Sequence, residues 1–305
     1  DVLKSQTDNI AKEDAYTLAL FAQDEIKLLR NLQALIGVRY IYHENFKNHA
    51  TPNVALMYKP GKFNFRASYA AGFRTPTLSE LYATDIAKKN DRLTIGNLDL
   101  KPEKNNYFSL SAEYVHERFS VSVNAFYNNI RDMIDYNTIA TGDKAMEQYG
   151  HKEVRQRDNI AEAKVHGINV SANAYLGAGF NLSGGYTHLN TQDVELEQPI
   201  DKSIKNAYNI NAQWAHSWKI YRLNINLNGR INSKRFSKSY GYAPEYQLWD
   251  LNTRHSFNLK SVIIEPGFGM ENLFDYMDDR PYNSNYATLT PGRSFYISLS
   301  LKFKS

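Results

Sequence analysis

The sequence predicts an all-β protein, an antiparallel up-and-down transmembrane β-barrel of which about 13 strands lie in this chain. Three observations predict this fold: apolar and polar residues alternate through most of the chain, short and long connections alternate between those segments, and no apolar run approaches the roughly 18 residues that a transmembrane helix needs. A barrel strand needs only every second residue to be apolar, so the mean hydropathy of -0.55 is compatible with it.

The alternation of side chains is clearest in four segments. Residues 221–228 place a large apolar side chain at every second position, with Arg or Asn between, and residues 295–303, 119–128 and 63–70 repeat the pattern. Successive side chains of a strand point to opposite faces, so each segment predicts a strand with one apolar and one polar face. A sandwich of two soluble sheets would produce the same alternation.

The lengths of the connections favour the barrel. Strands are predicted near 15–22, 28–42, 53–59, 63–70, 106–116, 119–136, 158–176, 180–190, 206–216, 220–231, 246–259, 262–273 and 292–303. Tight turns are predicted at Glu25-Ile26, Pro60-Gly61, Glu117-Arg118, Gly177-Ala178-Gly179, Ser217-Trp218 and Lys260-Ser261. Long external loops are predicted near 43–52, 71–105, 137–157, 191–205, 232–245 and 275–292. A meander with its short turns at one end and its long loops at the other is typical of outer-membrane barrels.

Aromatic residues cluster near the predicted short turns. Transmembrane barrels carry such rings at the membrane interface, whereas ordinary strand-end packing is the alternative explanation. The residues predicted to form this girdle are Tyr58, Tyr114, Phe119, Tyr175, Trp214, Trp218 and Tyr221.

Composition and the lack of catalytic motifs argue against several other functions. The chain has no cysteine, which excludes disulfides and Cys-based metal sites, and its formal charge of +4 is too small and too dispersed to predict nucleic-acid binding. The sequence contains no phosphate-binding glycine loop, no paired metal-binding histidines and no nucleophile elbow. We therefore expect no enzyme activity, no intrinsic cofactor and no resident metal.

Residues 71–104 are the longest interruption of the strand pattern. Pro76 suits the first turn of a helix, Thr75 or Thr77 would cap it, and the apolar residues within 78–82 recur at helical spacing. A short helix is therefore predicted inside a long loop.

Two groups of residues carry a family resemblance. The first is Gly72-Phe73-Arg74-Thr75-Pro76 with Glu80, Leu81 and Tyr82, followed by Gly96-Asn97-Leu98-Asp99-Leu100-Lys101-Pro102-Glu103. The second is Asn272-Leu273-Phe274-Asp275 with Pro291-Gly292-Arg293 and a terminal strand ending at Phe303. Together with residues 21–26, they resemble the paired loop boxes, the C-terminal signature and a mid-barrel strand of the TonB-dependent outer-membrane receptors.

This resemblance implies a barrel of about 22 strands filled by an N-terminal plug domain. Because only about thirteen strands are predicted here, we expect residues 1–305 to be the C-terminal portion of such a barrel, lacking the plug. The expected partners are then the lipid bilayer, the missing plug and strands, and the TonB complex, but no nucleic acid. The expected location is the outer membrane of a Gram-negative bacterium.

The function implied by the resemblance is TonB-energised uptake of a large, scarce nutrient, namely haem, cobalamin or a ferric siderophore. Residues 71–103 contain no histidine, which weighs against haem ligation in this loop. The alternatives are a passive β-barrel pore, a non-transporting surface barrel such as an adhesin, and a soluble β-sandwich binding module.

Polar and aromatic residues of the predicted loops are the candidates for ligand binding. They are Arg74, Tyr82, Tyr149, His151, Tyr240, Tyr242, Arg280 and Tyr282. Both loop boxes adjoin strands, so we expect them to fix the geometry of the loop and to leave residues 77–95 for contact with ligand.

Overall fold

The structure of the protein, a computed structural model, describes residues 2–3, 13–159, 162–237, 241–278 and 291–304. In chain order its strands are β1 (Val2–Leu3), β2 (Glu13–Asp14), β3 (Thr17–Leu29), β4 (Leu32–His43), β5 (Lys47–Tyr58), β6 (Phe63–Arg74), β7 (Thr84–Ala87), β8 (Arg92–Ile95), β9 (Glu103–Val115), β10 (Phe119–Arg131), β11 (Ile134–Thr141), β12 (Glu153–Asn159), β13 (Ala163–Gly177), β14 (Phe180–Asp193), β15 (Asn206–Trp218), β16 (Tyr221–Asn232), β17 (Arg235–Ser237), β18 (Gly241–Ala243), β19 (Tyr246–Asn258), β20 (Val262–Glu271) and β21 (Ser294–Phe303). The two helices among these residues are α1 (Leu78–Tyr82) and α2 (Gly142–Tyr149). Neither is long and apolar enough to cross a membrane.

Thirteen strands form one sheet, here called the wall, in the order β3-β4-β5-β6-β9-β10-β13-β14-β15-β16-β19-β20-β21. Every neighbouring pair is antiparallel and follows the order of the chain. Each predicted strand corresponds to one strand of the wall, which confirms the predicted all-β, up-and-down architecture.

The two faces of the wall differ in polarity. On one face, Tyr69 pairs with Phe108 and their rings lie 4.9 Å apart. On the other face, the hydroxyls of Ser68 and Ser109 are 2.6 Å apart, and the Asn211 amide donates to Asn228 Oδ1 at 2.6 Å. The period-two alternation therefore sorts the side chains as predicted, into an apolar face and a polar face.

Aromatic rings contact one another along the apolar face near the short turns. The ring centroids of Tyr114 and Phe119 are 5.7 Å apart, and those of Trp218 and Tyr221 are 5.6 Å apart. These contacts connect neighbouring strands and extend the hydrophobic contact at this end of the wall.

Two details of the predicted topology are wrong. Glu25 and Ile26 lie inside β3, and the hairpin turns at residues 30–31 instead. Residues 47–58, partly predicted as a loop, are strand β5, because their polar side chains do not prevent complete backbone pairing with β4. The connection between β4 and β5 is consequently only 44–46.

The segment predicted as a loop near 137–157 consists largely of strands and a helix. β11 and β12 pair within it, and together with β7 and β8 they form a four-stranded sheet in the order β11-β12-β8-β7, here called the loop sheet. The pairing of β12 with β8 is parallel and joins two long connections that are far apart in the chain.

Candidate ligand-binding site at the long-loop end

Arg74, the last residue of β6, anchors the long connection 75–102. Its guanidinium donates to both carboxylate oxygens of Glu103, at 2.6 and 2.7 Å, and to Glu80 Oε2 at 3.0 Å. The side chains of Glu80 and Glu103 are only 13% and 16% exposed. A bidentate fork bonded to two carboxylates of low exposure fixes where the connection leaves β6 and where it enters β9.

Helix α1 begins with a capping box. Thr77 Oγ1 accepts a hydrogen bond from the Glu80 backbone N–H at 3.2 Å, and the Glu80 carboxylate accepts one from the Thr77 N–H at 2.8 Å. This confirms the predicted helix and identifies Thr77, rather than Thr75, as its cap. Leu78 and Leu81 are each 5% exposed, so the short helix is held by packing as well as by its cap.

The charge of Glu80 makes this anchor sensitive to acid. Burial disfavours the carboxylate, but hydrogen bonds from Arg74 and Thr77 outweigh burial and lower the pKa of Glu80 below its ordinary value of 4.5. A group whose pKa is lowered by folding stabilises the fold fully above its unfolded pKa, and that contribution disappears as the pH falls through the folded pKa.

We therefore predict that acidification from pH 6 to pH 3 loosens the connection 75–102. The protection factors of its backbone amides, measured by hydrogen-exchange mass spectrometry and corrected for the slower intrinsic exchange at low pH, should fall over this interval. In the Glu80→Gln variant, the amides of the connection 75–102 should be less protected than in the wild type at pH 6. Their protection should fall less than that of the wild type between pH 6 and pH 3. An identical pH response in wild type and variant would contradict the role of Glu80.

The second loop box closes onto α1. The Gly96 N–H donates to the Ala83 carbonyl at 2.9 Å, and the Asn97 N–H donates to the Glu80 carbonyl at 3.0 Å. Leu100 is 3% exposed and belongs to a cluster with Leu81 and Ile134, against which Tyr82 packs. Both boxes therefore fix the geometry of the loop, as predicted.

Gly96 lies where a side chain does not fit. A Cβ atom there would lie 2.5 Å from the Leu81 carbonyl oxygen, closer than nonbonded atoms approach. We predict that Gly96→Ala displaces the connection from α1 and increases proteolysis of residues 75–102 severalfold in a limited digest. The control is Ala83→Gly, which alters the same connection without creating a clash and should increase its proteolysis less than Gly96→Ala does. Gly61→Ala is unsuitable as a control, because Gly61 has a positive φ that strains an alanine.

The loop sheet has one apolar face. Val154 and Ala145 are fully buried, and Leu93, Ile95 and Tyr149 pack around them, so α2 covers this side.

The opposite side of the loop sheet carries arginines. Arg92 pairs in register with Glu153, and Arg157 with Tyr136, which puts Arg92, Arg155 and Arg157 on the side away from Val154. We call Arg92, Arg155, Arg157 and Tyr136 the arginine–tyrosine face.

Two of these arginines have no carboxylate partner among the described residues. Arg155 is bonded to Glu153 at 2.5 Å. Arg157 instead lies over the Tyr136 ring, with its Cζ 3.7 Å from the centroid, and donates to the Tyr136 hydroxyl at 2.6 Å. The Nε of Arg92 is buried and has no hydrogen-bond acceptor in the described part of the chain. The face therefore offers unneutralised guanidinium groups and an aromatic ring, which suit an anion with aromatic groups.

The sequence-predicted ligand residues have different surroundings. Arg74 is engaged by its two carboxylates, Tyr82 and Tyr149 pack on the two apolar clusters, and His151 Nδ1 lies 2.8 Å from Asp91. This hydrogen bond lowers the pKa of Asp91. Tyr242 is 57% exposed and packs edge-on against Phe236 at 5.3 Å. The other three lie outside the described residues: Tyr240, Arg280 and Tyr282.

Sequence reasoning missed the arginine–tyrosine face. The signal was present in residues 153–157, where charged side chains stand two positions apart as on one face of a strand. Arg92 lies 61 residues before its strand partner Glu153, and Tyr136 lies 21 residues before Arg157, so both strand pairings had to be known before this face could be recognised.

Histidines near this end are also placed differently from expectation. His49 was predicted in a loop, but it lies in β5, and its ring stacks on Phe73 with the centroids 3.7 Å apart. His43 is 7% exposed at the end of β4. Among the described residues, no group of three or more His, Asp or Glu side chains is placed to hold a metal ion.

The C-terminal motif fixes the last long connection. The Asn272 amide donates to the carbonyls of Tyr276 and Pro291, at 2.8 and 3.2 Å, and its Oδ1 accepts from the Tyr276 N–H. Asp275 Oδ1 accepts from the Arg293 N–H at 2.6 Å. These residues act on the backbone of the connection and bring its two ends together.

One family model and several solved structures match this chain. The family model described as TonB dependent receptor-like, beta-barrel matches residues 2–273. A mutant of the ferric enterobactin receptor PfeA from Pseudomonas aeruginosa is 20% identical with a TM-score of 0.75, over 96% of this chain and 45% of that one. The siderophore receptor PirA from Acinetobacter baumannii is 16% identical (TM-score 0.73, 96% and 46%), and the copper transporter OprC is 12% identical (TM-score 0.71, 95% and 48%). The chain spans about half the length of these solved structures.

Proposed function

We propose that this chain, which belongs to the TonB-dependent receptor-like β-barrel family, is part of an outer-membrane receptor. The receptor imports a ferric siderophore. The wall would stand in the outer membrane of a Gram-negative bacterium with its apolar face toward lipid. A plug domain and the remaining barrel strands would come from other parts of the full-length protein.

The arginine–tyrosine face is the observation that carries the choice of ligand. A ferric catecholate chelate is a compact anion with aromatic rings, and guanidinium groups beside a tyrosine bind that combination through charge-assisted hydrogen bonds and stacking. Of the similar solved structures, PirA is named as a siderophore receptor and PfeA as a ferric enterobactin receptor. The reported relatives lend no such support to haem or cobalamin, the other two expected ligands.

The mechanism would be one of binding and gated passage, without chemical conversion of the ligand. The long connections bind the chelate outside the cell, and the anchored segment 75–102 contributes the strands β7 and β8 to the loop sheet at the long-loop end of the wall. The periplasmic TonB complex would then pull the plug and open the passage. This last step is implied by the family.

A binding titration of the full-length protein tests the ligand class. We expect ferric enterobactin to bind at least tenfold more tightly than a ferric hydroxamate of low net charge, haemin or cyanocobalamin, as measured by calorimetry. Uptake of radiolabelled iron from the same chelate should require a functional TonB complex. Tighter binding of haemin or cyanocobalamin would overturn the siderophore assignment, and uptake without TonB would overturn energised transport.

A further inference from the structure

The short turns of the wall carry an excess of positive charge. These turns are residues 30–31, 59–62, 116–118, 178–179, 219–220 and 259–261. Their basic side chains, here called the basic row, are Arg30, Lys59, Lys62, Arg118, Lys219 and Lys260, and their acidic side chain is Glu117. All members of the basic row are exposed, and none has an ion-pair partner within the described ranges.

The short turns that carry the basic row are connected to one another by backbone hydrogen bonds. The Lys59 N–H donates to the Asn31 carbonyl at 2.8 Å, and the Tyr175 N–H donates to the Arg118 carbonyl at 2.7 Å, so neighbouring turns are tied together. Adjacent strands lie about 4.8 Å apart, which places successive hairpin turns roughly 10 Å apart along the edge. The charges are thus spread along a fixed line.

A band of aromatic and histidine rings adjoins this edge on the apolar face. The rings of His216 and Trp218 are 4.4 Å apart, and those of Trp218 and Tyr221 are 5.6 Å apart. The Tyr221 hydroxyl is 2.7 Å from His255 Nδ1. Rings with a polar atom at one end suit the boundary between an apolar medium and water.

Taken together, the long connections at the opposite end of the wall, residues 44–46, 75–102, 132–162, 194–205, 233–245 and 272–293, contain 15 basic and 19 acidic side chains. The connection 75–102 contains four basic residues and four acidic ones: Lys88, Lys89, Arg92, Lys101, Glu80, Asp85, Asp91 and Asp99. The surplus of positive charge beside an aromatic band is therefore a property of the short-turn end.

We propose that the basic row binds the phosphate headgroups of anionic phospholipids in the leaflet at the short-turn end of the wall. This inference rests on the proposed function, which places the wall in a bilayer. Exposed lysines and arginines just outside an anionic lipid surface attract it over about a Debye length, with a gain of roughly fivefold in affinity for each basic residue. The aromatic band would hold the row at headgroup depth.

Native mass spectrometry of the full-length protein in detergent tests this proposal. The protein is incubated with an equimolar mixture of phosphatidylglycerol and phosphatidylcholine, and the lipids that remain bound are counted. We expect phosphatidylglycerol to be retained at least fivefold over phosphatidylcholine. The triple variant Lys59→Gln, Lys62→Gln, Arg118→Gln should reduce this ratio at least threefold, whereas the matched variant Lys88→Gln, Lys89→Gln, Lys101→Gln should leave it unchanged.

The outcomes separate this proposal from the proposed function. Equal retention of the two lipids by the wild type, or equal losses in the two triple variants, overturns lipid binding by the basic row while siderophore binding and uptake stand. An acidic protein partner at this end would likewise leave the lipid ratio near one. Failure of the full-length protein to insert into bilayers would overturn the proposed function itself.

Discussion

Arg74→Gln should weaken binding of the ferric siderophore at least tenfold and increase proteolysis of the connection 75–102. The substitution leaves Glu80 and Glu103 close together, poorly exposed and without their shared cation. Loss of one partner from such a cluster costs more than the pair contributes, because the remaining charges stay desolvated. Since the Arg74 side chain is 42% exposed, we expect a cost of about 2 kcal/mol rather than that of a fully buried pair.

Three further variants test this explanation. Arg131→Gln is the matched control, because Arg131 is an exposed residue at the end of β10 and has no ion pair among the described residues. It should change siderophore binding less than twofold. Arg74→Lys should be intermediate, since an ammonium keeps the charge but not the bidentate fork. Combining Arg74→Gln with Glu103→Gln should recover part of the loss, and no recovery would argue against repulsion between the two carboxylates.

The double variant Arg92→Gln, Arg157→Gln, which removes the two arginines without a carboxylate partner among the described residues, should bind the ferric siderophore about a hundredfold more weakly than the wild type. Each charge-assisted hydrogen bond contributes about 1.5–3 kcal/mol, and 1.4 kcal/mol corresponds to a tenfold change in affinity. Calorimetric titration measures the change. The proteolytic pattern should stay close to that of the wild type, because the apolar packing around Val154 lies on the other side of the loop sheet.

Lys88→Gln with Lys89→Gln is the control for the arginine–tyrosine face. Both lysines are exposed in the turn between β7 and β8, so the control removes the same charge from the same sheet. It should weaken binding only a fewfold through the general electrostatic field. Equal losses in the two double variants would show that net charge, and not this face, attracts the ligand.

Arg74 affects the arginine–tyrosine face through the connection 75–102. Arg74 and the second loop box hold the connection 75–102, which contributes β7 and β8 to the loop sheet. The parallel pairing of β8 with β12 then aligns Arg92 with the other arginines. A disturbance at the anchor should therefore reach the ligand without touching it, which is why the Arg74 variant is expected to affect both proteolysis and binding.

Local sequence patterns determined the elements of this fold whose interactions are short in range. The period-two alternation in segments such as 119–128 predicted the strands of the wall, because each side chain's face follows from its position in the strand. Pro76 and the helical spacing of the apolar residues within 78–82 predicted the short helix, and the capping box of Thr77 with Glu80 in the structure identified which of the two candidate threonines is its cap. The family boxes were recognised as geometric anchors from their positions beside strands.

Only the tertiary structure decided which distant residues meet. The first half of β5 and the whole of β12 carry little apolar periodicity, so their pairing depends on backbone partners that the local pattern does not reveal. The stacking of His49 on Phe73 depends in the same way on the pairing of strands. Hydrogen bonds between strands join residues by space and not by sequence, and so the wall was predictable from the sequence whereas the arginine–tyrosine face was not.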